Sequence, residues 1–226
     1  MIKYLVKFLK EEAHADDLMN GTLFMRCAEY YHMLEETKGP GQGDLREGSI
    51  FPGVAIYKSI HYPIYCMYMI EDRDIRDGRV VIEKRVVQDF DCEDGYMVIV
   101  PFDAFERVLP TLVTHGHALD GARVRYGYNS QNDIDLIMRS EDAYSLINKH
   151  PHFSYQKEYR LVVYENLYMR RGPGFDRSDG CKYSLREPLT GIARKLEVRA
   201  LREVEEGYVV DIDDPNCYPS LGATYS

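Results

Sequence analysis

The stretch that decides the fold lies at residues 155–164 and reads Tyr155-Gln156-Lys157-Glu158-Tyr159-Arg160-Leu161-Val162-Val163-Tyr164. Its charged first half runs into a β-branched and aromatic second half, which predicts a buried strand with a polar entrance. Side chains alternate across a strand, so we expect Gln156, Glu158 and Arg160 on one face. That face is either a ladder of edge charges that keeps a sheet soluble or a small polar platform for a ligand.

The rest of the chain predicts a sheet with short flanking helices. Strands are predicted at 2–9, from 22, and at 53–58, 64–70, 79–86, 96–100, 122–127, 182–186 and 207–212, with helices at 11–20, 28–36, 102–114 and around 141–149. Residues 39–44 and 168–181 have loop composition. The pattern indicates one α+β domain over 1–212 with a mixed or antiparallel sheet core, followed by a loose tail over 213–226 that lacks periodicity.

Charge and cysteine usage narrow the class of protein. The net charge of −9 argues against a surface that neutralises a long phosphate backbone, although a local basic groove stays compatible with it. The five cysteines are scattered and form no Cys-x-x-Cys pair, so neither a disulfide framework nor a zinc knuckle is indicated. Lysines interrupt the N-terminal apolar residues, and no stretch has the length of a membrane span. We therefore expect a cytoplasmic protein that does not associate with membranes.

Two histidine pairs and the absence of a nucleophile motif bear on catalysis. His115 and His117, like His150 and His152, have a spacing of two, but no third ligand follows at a telling distance. We therefore predict no metal site. The sequence also lacks Gly-x-Ser-x-Gly, and no cysteine stands beside an activating partner in the sequence.

The order of the motifs resembles that of a known superfamily. An N-terminal strand, a short helix, Gly21 and a second strand, together with the late Gln156-x-Glu158, are similar to ADP-ribosyltransferases. A closer likeness is to uncharacterised bacterial and phage proteins, and it covers most of residues 4–165. The residues that carry it are Gly21, Leu23, Met25, Glu29-Tyr30-Tyr31, Leu34-Glu35, Gly43-Asp44, Glu47-Gly48 and Gln156-Lys157-Glu158-Tyr159-Arg160.

The resemblance implies an ADP-ribosyltransferase-like split sheet and roles for its two catalytic candidates. Glu158 would grip the ribose hydroxyls of NAD and stabilise the positive charge that builds as the nicotinamide–ribose bond breaks. Gln156 would orient the incoming acceptor. We expect the strand at 155–164 to lie beside the strand at 2–9.

The resemblance also implies a set of cofactor-binding residues. The superfamily has Arg or His on its first strand, where this chain offers only Lys3 and Lys7. Arg26 is a substitute, because a guanidinium suits a pyrophosphate better than an ammonium does. Tyr30 and Tyr31 would stack on a base or on nicotinamide, or else pack in the core. The expected cofactor-binding residues are Lys7, Arg26, Tyr30, Tyr31 and Arg160.

Two functions follow from these expectations. The first is NAD-dependent ADP-ribosylation of a macromolecular acceptor, protein or nucleic acid, in bacterial–phage conflict. The alternative is a non-catalytic protein-binding module that keeps the fold and has lost the cofactor site. The missing first-strand Arg or His favours the module, and the Gln156/Glu158 pair favours the enzyme. A nucleic-acid-processing factor is disfavoured by the acidic balance.

Overall fold

Strands and short helices build the computed structural model, which describes residues 1–38, 49–51, 54–55, 61–113, 116–127, 146–172, 176 and 178–212. The α+β class with antiparallel pairing is confirmed. Contacts divide the chain into two compact units. One contains Met1–Leu23, Met67–Pro110 and the described part of Ser184–Ser226, and the other the described parts of Phe24–Cys66 and Thr111–Tyr183. One domain over 1–212 stays a prediction.

The first unit is built around β1 (Ile2–Leu9), where the adjacent Leu5 and Val6 are both fully buried, so the sheet is covered on both faces there. Antiparallel partners flank β1 on both sides: the second half of β5 (Pro63–Glu71) and β7 (Tyr96–Pro101). On the far side of β7 lies β13 (Arg194–Glu197). The helices of this unit are α1 (Glu12–Met19), α3 (Lys84–Asp89) and α4 (Phe102–Val108).

A small antiparallel sheet in the same unit has the order β14 (Arg202–Glu203), β15 (Gly207–Asp211) and β6 (Arg79–Glu83). Its register sets Gly207 opposite Glu83, where a Cβ atom would lie 2.0 Å from the carbonyl oxygen of Ile82. Only glycine fits this close backbone approach. The strand predicted at 79–86 ends at Glu83, because the chain continues as helix α3, which buries the side chains of Val86 and Val87.

The second unit is built around β11 (Glu158–Val163), all six residues of which are buried. Its partners are β5 and β8 (Leu119–Arg123). Farther along, β2 (Thr22–Cys27) pairs with β5 and β12 (Gly180–Ser184). The remaining elements are α2 (Ala28–Lys38), α5 (Leu167–Arg171), the parallel pair β9 (Arg125–Tyr126) and β10 (Asn148–Lys149), and the hairpin β3 (Ser49–Phe51) and β4 (Val54–Ala55).

The stretch at 155–164 was predicted to be a strand throughout, but its first three residues are not part of the strand. Residues Pro151–Gln156 form a 3-10 helix, and Lys157 ends it in the left-handed region with φ 39°. The strand therefore begins at Glu158 and not at 155. We also expected this strand to lie beside the N-terminal strand. That expectation is wrong, since β11 pairs with β5 and β8.

Several other boundaries are corrected. The helix predicted at 102–114 ends at Val108, and Asn148–Lys149 is a strand and not a helix end. The strand predicted at 122–127 is divided between β8 and β9, and the predicted loop at 168–181 includes most of α5 and the start of β12. The tail at 213–226, the loop at 39–44 and most of the strand at 53–58 lie outside the described residues.

Candidate functional site

A buried polar cluster surrounds Glu158 in the second unit. Lys149 donates hydrogen bonds from Nζ to Gln156 Oε1 and Glu158 Oε1, both at 2.8 Å. Arg160 donates from its guanidinium to Glu158 Oε2 at 2.6 Å. Glu158 is 3% exposed and Arg160 is 0% exposed. We call these four residues the Glu158 cluster, and they include both predicted catalytic residues.

Local backbone geometry brings the Glu158 cluster together. Glu158 and Arg160 are two residues apart on β11, so their side chains share a face and meet directly. Gln156 ends the preceding 3-10 helix, and the left-handed Lys157 turns the chain so that Gln156 also reaches the ammonium of Lys149. The sequence therefore predicted the grouping of Gln156, Glu158 and Arg160, although a turn, and not strand alternation, positions Gln156.

Neighbouring groups fix the Glu158 cluster further. The backbone N–H of Glu158 donates to the hydroxyl of Tyr126 at 2.8 Å. The guanidinium of Arg160 also donates to the backbone carbonyl of Leu146. Lys149 Nζ lies 4.8 Å from the ring centroid of Phe153, a distance at which a cation is attracted to the ring. The cations and the carboxylate are thus held by several elements at once.

The electrostatics of the Glu158 cluster favour an ionised carboxylate. Burial by itself raises the pKa of Glu158, but the charges and hydrogen bonds of Lys149 and Arg160 outweigh it and lower the pKa to about 2. The cluster is therefore two cations around one anion at neutral pH. Both carboxylate oxygens accept hydrogen bonds within the cluster, and Glu158 is almost fully buried, so a ligand hydroxyl could reach its remaining lone pairs only if the cluster opened to solvent.

Arg26 and Tyr30, two of the predicted cofactor-binding residues, contact each other. The guanidinium carbon of Arg26 lies 3.9 Å from the centroid of the Tyr30 ring and 5.2 Å from that of Phe24. Tyr30 and Tyr31 meet edge to face at 5.5 Å, and Tyr31 packs against the buried group that contains Ile64 and Val162. Tyr31 is therefore core packing, which is the alternative that the sequence left open.

Lys7 belongs to the first unit, whereas Arg26, Tyr30, Tyr31 and Arg160 belong to the second. It lies on β1 opposite Val98 of β7 and is half-buried. Arg160 is held by Glu158 and Leu146, so its guanidinium is committed within the protein. The predicted cofactor-binding set is thus divided between the two units and between stacking, packing and ion-pair roles.

The histidine pairs show no metal geometry in the part of the chain that the structure describes. His150 Nδ1 accepts a hydrogen bond from the backbone N–H of His152 at 3.2 Å. Among the described residues, no three His, Cys, Asp or Glu side chains lie close enough together to hold a metal ion. His115 lies outside that part. The described cysteines are free thiols: Cys27, Cys66, Cys92 and Cys181.

Sequence reasoning missed a second buried carboxylate, Glu165. Its Oε2 accepts a hydrogen bond from the hydroxyl of Tyr183 at 2.9 Å, and its Oε1 accepts one from Arg170 at 3.0 Å. His117 Nε2 lies 3.9 Å from the same Oε1 atom. The sequence contains a signal that could have identified Glu165. This residue comes two positions after the buried strand β11, and a charged side chain that is buried at a strand end is usually paired.

None of the described helices combines the length and the apolar character that crossing a membrane requires.

Comparison with models of protein families, with curated proteins and with solved structures gives no match to this chain. The resemblance to ADP-ribosyltransferases therefore rests on the short motifs and their order alone.

Proposed function

We propose that this protein is a non-catalytic protein-binding module. The observation that carries the proposal is the state of Glu158, which is 3% exposed and has one carboxylate oxygen bound by Lys149 and the other by Arg160. A carboxylate that stabilises a ribose cation must present an oxygen to the substrate in a prearranged geometry. Here the oxygens of Glu158 are oriented towards Lys149 and Arg160 of the protein itself.

Releasing Glu158 towards a ligand would be costly. Its departure would leave the ammonium of Lys149 and the guanidinium of Arg160 buried without their anion. Breaking a buried ion pair by removing one partner costs about 3–5 kcal/mol. A substrate would have to supply that free energy before any transition-state stabilisation began, which supports a structural role for the cluster.

The second unit also offers a surface that suits a protein partner. On α5, Met169 is 78% exposed and Tyr168 is 46% exposed, although apolar side chains of this size are usually covered. Tyr168 stacks on His61 at 5.4 Å, and Arg170 is anchored by Glu165 at 3.0 Å. Aromatic residues, Met and Arg are the types enriched at protein interfaces.

This surface extends beyond α5. Arg171 donates to the backbone carbonyl of Gly180, where a Cβ atom would lie 2.4 Å from the ring of Phe24. Phe24 is itself exposed and carries Arg26 beside its ring. We call Phe24, Tyr168, Met169 and Arg171 the α5 surface. The guanidinium of Arg171 is already paired with Asp179 at 2.8 Å, so the chemistry of this surface fits a protein segment that presents an apolar side chain.

The first experiment measures nicotinamide release from NAD by the wild type and by Glu158→Gln, each supplied with protein and nucleic-acid acceptors. We expect no release above the protein-free rate from either. The readout is release and not NAD binding, because a molecule can bind without reacting. Release by the wild type that a folded Glu158→Gln variant loses by a hundredfold or more would contradict the module.

A second experiment tests the surface directly. Proteins retained by immobilised wild type would be identified, and the affinity of each purified candidate measured against Met169→Glu. The matched control is Val81→Glu, which places the same charge on an exposed apolar residue of the first unit. A specific partner should lose at least about tenfold in affinity with Met169→Glu and little with the control. Equal losses of affinity in Met169→Glu and Val81→Glu would contradict a role of the α5 surface in binding the partner.

A second candidate function is ADP-ribosyl transfer from NAD to a macromolecule in bacterial–phage conflict. The specific observation in its favour is that Gln156 and Glu158 are joined through Lys149 and that Glu158 is ionised, with its pKa lowered to about 2. Such a site would act only after the buried cluster opened to solvent. The nicotinamide assay distinguishes the two candidates.

A further inference from the structure

Three arginines meet at one cleft of the first unit. The cleft has a volume of about 320 Å³ and its polar rim consists of Arg79, Arg194, Arg202 and Asp211. Its apolar part, which we call the floor, includes the partly exposed Leu196, Leu201 and Val209. We call it the arginine cleft. Its volume lies at the lower end of the range of about 300–1,000 Å³ that is typical of small-molecule sites.

The small antiparallel sheet and β13 bring these residues together from distant parts of the sequence. Arg79 begins β6 and faces Asp211, its register partner at the end of β15. Arg202 begins β14 at the edge of the same sheet, and Arg194 begins β13. The sequence gives no sign of a site here, because no motif joins residue 79 to residues 194–211. Only the paired register does so.

The rim carries three positive side chains and one negative one. Asp211 accepts a hydrogen bond from Arg79 Nε at 2.6 Å, while its backbone carbonyl accepts one from Arg194. Arg202 is exposed and has no ion pair or hydrogen bond from its guanidinium to any residue that the structure describes. The cleft therefore concentrates positive charge in a chain whose net charge is −9.

We propose that the arginine cleft binds a small phosphorylated molecule with an apolar or aromatic body. The planar guanidinium fork matches the oxygens of a phosphate and can bind two of them at once. The excess of two positive charges suits a phosphate dianion better than a single carboxylate. The apolar floor suits a ring, so the ligand class is the nucleotides and similar phosphate esters, and free phosphate shares the anionic part of this chemistry.

A long nucleic acid is a poorer fit to the same chemistry. Its affinity depends on many basic side chains that follow the phosphate backbone. The arginine cleft offers three arginines around a volume of about 320 Å³, which is sufficient for one nucleotide-sized ligand. Binding there requires neither transferase activity nor a protein partner.

The test is calorimetric titration of the full chain with ADP, adenosine and inorganic phosphate at low salt. We expect ADP to bind more tightly than inorganic phosphate and adenosine to bind at least tenfold more weakly than ADP. Free phosphate that binds as tightly as ADP would limit the ligand to the anion and remove the apolar floor from the proposal. Adenosine that binds as tightly as ADP would overturn the proposal of an anion site.

Single-residue variants test whether ADP binds at the arginines of the arginine cleft. Arg202→Gln should weaken ADP by about tenfold or more, as the loss of a hydrogen bond to a charged group does. The matched control is Arg107→Gln, which removes the same charge from an exposed position on α4 that does not line the cleft. Equal affinities of the two variants would overturn the proposal, as would the absence of ADP binding to the wild type.

A gain-of-affinity variant excludes a merely structural effect. Asp211→Asn removes the negative charge of the rim while keeping the size of the side chain, so ADP should bind several-fold more tightly. Asp211 is exposed, and its replacement should leave the fold intact. An affinity that falls with Asp211→Asn would contradict an electrostatic role of the cleft.

Discussion

The Glu158 cluster and the arginine cleft contain the same kinds of side chain in opposite states. In the Glu158 cluster, two cations enclose one carboxylate, and all of these charged groups are buried. In the arginine cleft, three guanidinium groups stand around one exposed carboxylate, and Arg202 has no partner among the described residues. Burial closes the first arrangement to a ligand, whereas the second keeps an exposed guanidinium that a ligand can reach.

The contrast teaches that accessibility, and not residue type, separates a structural ion pair from a binding site. A buried charge must be paired, because the cost of removing it from water is large. A half-exposed charge retains its hydration and can exchange water for a ligand at little cost. The sequence motif around Glu158 identified the residues that the fold needs most, which are not the ones that solvent reaches.

The largest expected effect is that of Arg160→Ala on stability. Arg160 is the largest fully buried side chain among the described residues, and its removal leaves Glu158 with a single cation and creates a cavity. We expect the free energy of unfolding to fall by about 3–5 kcal/mol. The comparison variant is Arg202→Ala, which should leave the urea midpoint unchanged. Similar losses in the two variants would mean that the buried and the exposed arginines do not differ as we describe.

The next effect is the response of the Glu158 cluster to acid. A folded-state pKa of about 2 lies below the value of roughly 4.3 for an unfolded glutamate. A lowered pKa contributes stability that is present above the unfolded value and is lost as the pH falls through the folded value. From about pH 5.5 to about pH 2, this glutamate should account for a loss of about 3 kcal/mol in the free energy of unfolding.

Urea denaturation at a series of pH values checks this expectation. Glu158→Gln has no carboxyl group to titrate there, so its own loss over the same range should be smaller by about that amount. Parallel pH profiles for the wild type and Glu158→Gln would contradict the assignment.

A smaller effect concerns the sheet that carries most of the rim of the arginine cleft. Gly207→Ala places a Cβ atom against the backbone of Ile82, so β15 and β6 must separate locally. We expect a loss of about 1–3 kcal/mol, the usual cost of overpacking. ADP affinity should fall as well, because Arg79 and Asp211 are held by this pairing. Gly116→Ala is the comparison variant: nothing lies within 4 Å of its added Cβ atom, but its φ of 77° is left-handed, so it reports the cost of backbone conformation without a steric clash.

The smallest effect is expected at Lys157, which holds a left-handed backbone between Gln156 and Glu158. Lys157→Gly relieves the steric cost of that conformation and adds entropy to the unfolded chain, so the net gain in stability should be about 0.5 kcal/mol. Thermal unfolding measures it. A clear loss of stability would mean that the Lys157 side chain contributes contacts that outweigh the backbone cost.

Local pattern predicted the strands of the core but not the pairing between them. The period-two run of residues 2–9 and the β-branched run Leu161-Val162-Val163 each have their own strong signal, and both form strands. Val86-Val87 has the same composition and forms a helix, because the surrounding core overrides β propensity.

The candidate sites likewise combine residues that a local pattern groups with residues that only the pairing of distant strands brings together. Gln156, Glu158 and Arg160 are close in sequence, so their grouping was predictable. Lys149 comes from another strand, and no spacing rule connects it to Glu158. The arginine cleft depends on the register of β6, β15 and β14 and on the placement of β13 beside them, and neither is encoded in a local sequence pattern.

The division of the chain into two units has a consequence for how either unit could be isolated. Strand β2 leaves the first unit at Leu23, and β5 returns to it after Cys66, so the polypeptide passes between the units inside regular strands. It crosses again after Pro110 and after Tyr183. Neither unit can therefore be produced as one continuous stretch of the chain, and a fragment that contains only one of them has to join separate segments by new linkers.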